Sequence, residues 1–324
     1  MRVSLVATVL NEADNVADLL ASIAAQVRAP DEIVIVDGGS ADGTVEVLQS
    51  WIGRLPLVVL QQPGCNISQG RNQAIAHARG EIVAVTDAGV HLDPWWLARL
   101  VEPLEQGEAD VAAGFFLSDP RTTFEVAMGA TVLPTLEDIR PERFLPSSRS
   151  VAFVREAWRR VGGYPEWLDY CEDLVFDFAL KEAGFRFRFV PEAVAYFRPR
   201  RDLRSFFLQY YRYARGDGKA DLWRLRHAIR YGTYLGAATV LLAAGRRPAA
   251  WGLLLAGALA YLRRPWQRLW QQSGHLRTRE RALAFALVPV IRLVGDVAKM
   301  VGYPVGVRWR RRHLTPGSTG PSDS

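Results

Sequence analysis

The sequence predicts an α/β protein: a mostly parallel sheet with helices on both faces, followed by a C-terminal set of apolar helices. Three observations lead there. Short β-branched runs alternate with helical periodicity through the first half of the chain, the pattern of a parallel sheet covered on both sides. Those runs end in turn-rich or acidic segments. The second half carries two long uncharged stretches set among arginines.

Val3–Thr8 reads as the first strand, and a cap at Asp14 or Asn15 opens a helix with Val16, Leu19, Leu20 and Ile23 at helical spacing. Glu32–Val36 is the second strand, and the turn-rich Asp37-Gly38-Gly39-Ser40-Ala41-Asp42-Gly43 leads into a helix from Thr44. Leu57–Gln61 follows as a strand, Arg71–Ala78 as a helix, and Ile82–Thr86 as a strand that ends at Asp87. Asp93-Pro94 then starts another helix, with Asp as N-cap and Pro in the first turn.

Apolar residues make up 49% of the 324, which excludes a disordered chain and supports a sizeable core. Cys65 and Cys171 cannot build a disulfide framework, and no Cys/His cluster points to structural zinc. Met1 leads straight into strand-like sequence without a signal-peptide pattern, so the N-terminal region is expected in the cytosol. Residues 1–199 hold 17 basic and 28 acidic side chains, a net −11, whereas residues 200–324 hold 23 and 6, a net +17. A basic half of this kind suits nucleic acid or an anionic membrane. Its charges flank apolar runs rather than interleave on a nucleic-acid motif, so no nucleic-acid partner is expected.

Gly232–Gly245 and Ala249–Leu262 are each 14 uncharged residues, separated by Arg246-Arg247-Pro248. Fourteen helical residues reach about 21 Å, short of a hydrocarbon core of roughly 30 Å. Residues 229–262 are therefore expected to be a short transmembrane or re-entrant hairpin, with a buried helical hairpin as the alternative. The arginines at 263, 264, 268, 277, 279 and 281 favour the membrane, with the N-terminal domain on its cytoplasmic side. Residues 282–302 read as an interfacial helix, its polar stripe Arg292, Asp296 and Lys299 set against an apolar face that includes Val290, Ile291, Val297 and Ala298. The expected organisation is an N-terminal α/β domain at 1–227, a membrane-associated helical region at 228–312, and a disordered tail at 313–324.

In open parallel sheets, ligands bind beyond the carboxyl ends of the strands. Asn11-Glu12, Asp37 and Asp87 follow three different strands and so share one edge. Singly, each has a bland reading as a turn residue or a solvated loop charge. Together they form a candidate site.

The motifs Val9-Leu10-Asn11-Glu12, Val36-Asp37-Gly38-Gly39-Ser40, Gly70-Arg71-Asn72, Thr86-Asp87-Ala88-Gly89, Gly162-Gly163-Tyr164 and Glu172-Asp173 resemble, in kind and order, the family 2 glycosyltransferases. The resemblance runs to about residue 219 and implies the GT-A fold, a Rossmann-like sheet. It implies an inverting transfer from a nucleotide-sugar donor (UDP- or GDP-sugar) to an acceptor hydroxyl at the cytoplasmic membrane face. The acceptor is expected to be lipid-linked or a polysaccharide. By the same resemblance Asn11, Glu12, Asp37, Arg71, Asn72 and Asp87 bind the donor, and Asp173 is the general base. Arg71 and Asn72 are expected to open a helix whose N-terminal amides suit a diphosphate. Asp87 matches the first residue of the Asp-x-Asp metal motif, but Gly89 stands at the third position. A divalent cation, Mg²⁺ or Mn²⁺, is thus expected with one carboxylate missing. Gln209-Tyr210-Tyr211-Arg212-Tyr213 is similar to the Gln-x-x-Arg-Trp signature of membrane-linked members, which assigns Gln209, Arg212 and Tyr213 to acceptor or diphosphate.

Two other functions compete. A sugar-nucleotide nucleotidyltransferase calls for a Gly-rich basic loop after the first strand, which Thr8–Glu12 lacks. A non-catalytic nucleotide-sugar-binding membrane protein fits the broken metal motif but not the intact Glu172-Asp173 pair.

Overall fold

The computed structural model describes residues 1–314. The tail expected at 313–324 lies, from 315 on, outside the described residues. The strands are β1 (Val3–Val9), β2 (Glu32–Asp37), β3 (Leu57–Gln61), β4 (Ile82–Val85), β5 (Val90–Leu92), β6 (Val111–Ser118), β7 (Val151–Val154) and β8 (Phe187–Phe197). The helices are α1 (Ala13–Ala24), α2 (Thr44–Ser50), α3 (Ile67–His77), α4 (Trp96–Glu105), α5 (Thr123–Val132), α6 (Arg155–Val161), α7 (Glu172–Glu182), α8 (Leu203–Ala220), α9 (Arg224–Ala244), α10 (Ala249–Gln272) and α11 (Thr278–His313). Contacts divide the chain into two compact units, one of Met1–Asp119 with Asp138–Arg198, the other of Pro120–Glu137 with Pro199 onward. The helix α8, read from sequence as part of the N-terminal domain, packs in the second unit.

In the first unit the strands run in the order β3-β2-β1-β4-β7-β6-β8-β5. Strands β1 to β4 pair in parallel, so the carboxyl ends of β1, β2 and β4 share an edge. The sheet is mixed further on: β7 is antiparallel to β4 and β6, and β5 to β8. Sequence periodicity does not expose this, because a three-residue strand such as β5 carries too little pattern. Side chains alternate across β1: Leu5 and Ala7 join a core with α1 and α4, while Val6 joins one with α3, α6 and α7. Both faces are buried, which is why these strands read as continuous apolar runs.

In the second unit α5, α8, α10 and α11 share an apolar core built on Phe206, Leu269, Val288 and Ile291. Helices α8 and α11 approach very closely. A Cβ on Gly302 would stand 2.2 Å from the carbonyl oxygen of Tyr211, and one on Gly306 2.1 Å from that of Arg215.

The transmembrane expectation needs correction. No helix among the described residues is long and apolar enough to cross a membrane. The 229–262 hairpin exists as α9 and α10, but it is not buried either: Leu235, Leu242, Trp251 and Leu255 are all more than half exposed. Residues 282–302 belong to the 36-residue α11, whose Ile291, Asp296 and Ala298 are buried. The expected faces are partly reversed. Asp296 turns inward, where α9 and α10 supply partners, while Val290, Val297 and Val301 remain exposed.

Candidate active site

Asp37 closes β2 and is 1% exposed. Its Oδ2 accepts the Gly39 and Ser40 amides at 2.9 and 3.0 Å, so much of its acceptor capacity shapes the turn. That turn is stitched to the end of β1. The Asn11 amide donates to Ser40 Oγ at 2.8 Å, and Asn11 Oδ1 accepts from the Ala41 amide at 3.0 Å. Glu12 donates its amide to Thr44 Oγ1 at 2.9 Å, and its carboxylate accepts from Asn15. Asn11 holds a left-handed φ of 55°, a conformation that costs about 1–3 kcal/mol and collects at functional sites.

Arg71 and Asn72 do not open a helix. An Asn66–Gln69 capping box starts α3 at Ile67, which places the two residues a full turn inside. Arg71 is 2% exposed and bridges two carboxylates, Nη1 donating to Glu172 Oε1 at 2.6 Å and Nη2 to Asp87 Oδ1 at 2.7 Å. Its guanidinium lies 5.4 Å from the Tyr164 ring centroid. The carboxylates raise its affinity for its proton against the opposing effect of burial, so it is a permanent cation.

Asn72 is consumed internally. Its Nδ2 donates to the Tyr164 carbonyl and to Glu166, and its Oδ1 accepts from the Tyr164 amide and from Trp158 Nε1. Gly163, at φ 81°, makes room: a Cβ there would stand 2.6 Å from Asn72 Oδ1. Asn72 thus holds the Gly162-Gly163-Tyr164 turn on α3.

Asp87 also faces Arg149, whose Nε lies 3.8 Å from Oδ2. Arg149 in turn packs over Phe197 and Phe116, at 4.8 and 5.8 Å. Sequence reading missed this arginine, because it lies in a long segment without periodic pattern. Glu172, which the sequence marks only as the neighbour of Asp173, is the buried partner of Arg71.

Asp173 is partly buried in the first turn of α7, two residues after Cys171, which holds a left-handed φ of 65°. Burial and the neighbouring Glu172 push its carboxyl up to about 6, against the pull of Arg71 and Arg149. One turn on, Asp177 is 3% exposed with a buried Oδ2 lacking a hydrogen-bond partner, and burial raises it well above the usual carboxylate range. The arrangement offers a carboxylate able to exchange a proton near neutral pH beside two fixed cations, at the edge where the parallel strands end.

The donor set does not suit a metal centre. Among the described residues no group of three or more His, Cys, Asp or Glu side chains could hold an ion. Asp87, the sole carboxylate of the expected motif, presents both oxygens to guanidinium groups. His91 is stacked on Tyr196, and Asp93 accepts the Trp95 amide. Gln209, Arg212 and Tyr213 lie on α8 in the second unit, where Gln209 Nε2 donates to the Tyr213 hydroxyl at 2.9 Å.

Two family models match the chain: glycosyl transferase family 2 over residues 4–158 and glycosyl transferase family group 2 over residues 82–297. The chain belongs to the family 2 glycosyltransferases, and it is a glycosyltransferase. It is 28% identical over 222 residues to the succinoglycan biosynthesis protein ExoA of Rhizobium meliloti, covering 65% of this chain and 67% of that protein. It is 32% identical over 124 residues to a dodecaprenyl-phosphate galacturonate synthase of Rhizobium johnstonii, 36% of either chain. The fold is GT-A-like, matching a Pyrobaculum calidifontis mannosyltransferase solved with GDP-Man and Mn²⁺ at a TM-score of 0.64 and 23% identity, over 90% of this chain and 87% of that one.

Proposed function

We propose that this glycosyltransferase moves a sugar from a UDP- or GDP-sugar to an acceptor hydroxyl with inversion, at the cytoplasmic face of the cell membrane in envelope glycan synthesis. The observation that carries the reading is Asp173, a partly buried carboxylate pushed up to about 6 beside the Arg71–Asp87–Arg149 cluster. Asp173 takes the proton from the acceptor hydroxyl as its oxygen attacks the anomeric carbon. The bond to the diphosphate breaks on the opposite side and its electron pair leaves with the phosphate, where Arg149 meets the developing charge. Arg71 fixes Asp87 and Glu172 and so keeps the edge in place before substrate arrives. Asn11, Glu12 and Asp37 line the nucleotide end.

The polyprenyl phosphate in one relative's name and the polysaccharide in another's support a lipid-linked or polysaccharide acceptor. Assignment of Gln209, Arg212 and Tyr213 to that acceptor rests on the Gln-x-x-Arg-Tyr resemblance. Membrane association rests on the exposed apolar surface of α9 and α10 and on their flanking arginines. Asp87, whose two oxygens face Arg71 and Arg149, would have to leave them to hold a cation beside the diphosphate.

The test is nucleoside diphosphate release from a panel of UDP- and GDP-sugars, with membrane lipid extract as acceptor source and NMR of the product linkage. Acceptor-dependent release with inverted configuration is expected. Donor binding without release across the panel overturns transfer in favour of a binding protein, and retained configuration overturns the role of Asp173.

A further inference from the structure

The inward stripe of α11 is a cluster of cations around one carboxylate. Asp296, 5% exposed, accepts from Arg230 Nε at 3.0 Å, from the Tyr234 hydroxyl at 3.1 Å and from the Tyr261 hydroxyl. The Arg292 guanidinium lies 4.6 Å from the Tyr261 ring centroid, and its Nε is buried without a hydrogen-bond partner. The Lys299 ammonium stands 4.7 Å from the Tyr210 ring. Asp217, the other carboxylate that acts on Lys299, lies 3.0 Å from His227 Nε2. Arg230 is paired with Asp296, which also acts on Lys299, whereas Arg292 faces Arg230 and the hydroxyls of Tyr234 and Tyr210. Burial and Arg230 press Arg292 below its ordinary range and bring Lys299 down to about 8. Cations held this close without matching anions favour a further anion.

The surroundings say what kind. Beyond Tyr234 and Tyr261 the two helices continue as a hairpin whose Leu235, Leu241, Leu242, Leu253 and Leu255 are 53–80% exposed, with Arg246 and Arg247 at its turn. Tyrosines between a cationic cluster and bare apolar helix are placed as at a bilayer interface. A groove of about 560 Å³ between α9 and α11 adds Tyr231, Tyr303 and the arginines at 308, 311 and 312 on the same pair of helices. We propose that Arg230, Arg292 and Lys299 seat the phosphate of an anionic membrane lipid at the base of the α9–α10 hairpin, whose apolar surface lies against the lipid chains. The proposal rests on the membrane association proposed above and names its lipid contact.

The experiment is co-sedimentation of the full chain with phosphatidylcholine vesicles and with vesicles containing phosphatidylglycerol, at fixed salt. The native protein is expected to bind both and to prefer the anionic ones. Arg292→Gln with Lys299→Gln should reduce that preference by roughly fivefold per cation removed, with binding to neutral vesicles retained. Leu241→Ser with Leu242→Ser should weaken binding to both. If the double cation variant melts early, Lys299→Gln alone is read, with a loss of roughly fivefold expected. Native protein that ignores all vesicles overturns membrane association itself and favours a protein partner for the hairpin. Native binding with an anionic preference untouched by the cation changes overturns only the phosphate seat.

Discussion

The Arg71 guanidinium and the Glu172 carboxylate meet at 2.6 Å although 101 positions separate them in the chain. The pair joins α3 to α7 in the interior, and Asp87 on the other side of the same guanidinium adds the end of β4. Removing one partner of a buried pair strands the other charge, at a cost of about 3–5 kcal/mol. Arg71→Ala should therefore lower folding stability by about that amount in denaturant titration. Glu172→Gln, which leaves Arg71 its contact with Asp87, should cost less.

Asp173 gives two pH signatures. As a base it must be ionised, so turnover should fall about tenfold per unit as pH drops below about 6, and Asp173→Asn should cost about 10²–10⁴-fold at pH 7.5. Stability runs the other way. The folded protein holds this proton more tightly than the unfolded chain does, so the contribution is full at low pH and lost as pH rises through about 6. Thermal melting should show Asp173→Asn more stable than native protein at pH 8, with the difference vanishing near pH 4.

Asn72 supplies a negative control for donor binding. Asn72→Ala breaks the bonds to Trp158 and to the Tyr164 backbone, and should destabilise the protein by roughly 1–3 kcal/mol in a denaturant melt. The KM for donor should stay within about twofold of native, since the amide nitrogen and oxygen of this side chain are both engaged within the chain. A large rise in KM without loss of stability would restore it to the donor site.

Asp87 bears on metal affinity. With both oxygens facing guanidinium groups, calorimetry of Mg²⁺ or Mn²⁺ into nucleotide-free protein should show nothing tighter than roughly 10⁻³ M, the weak end for oxygen ligands. A micromolar site that disappears in Asp87→Ala would show the carboxylate free to bind metal.

Much of this was legible in the sequence where one local rule sufficed. The strands β1 to β4 announce themselves by β-branched runs, and the strand pattern places Asp37 and Asp87 at strand ends, where they stand. What was not legible depends on partners distant in the chain. Arg149 reaches Asp87 from a loop with no period, and Asn72 is committed to residues some 90 positions later. The stripe Arg292-Asp296-Lys299 has the spacing of a solvated face. Only the Arg230, Tyr234 and Tyr261 side chains, brought up by other helices, turn Asp296 inward. The α3 start was missed because Asn66 and Gln69 cap a segment that carries little apolar pattern.

The missing Cβ atoms at Gly302 and Gly306 have a practical side. Because α8 and α11 touch backbone to backbone, and α11 also covers α5, α11 cannot be trimmed away as an appendage. A protein shortened at residue 227 would leave Phe206 and Val126 bare and trade one sticky surface for another. Under the membrane association proposed above, a preparation free of detergent calls instead for an internal deletion: the outer part of the hairpin, about residues 236–257, replaced by a short polar linker, with both ends of the long helix kept.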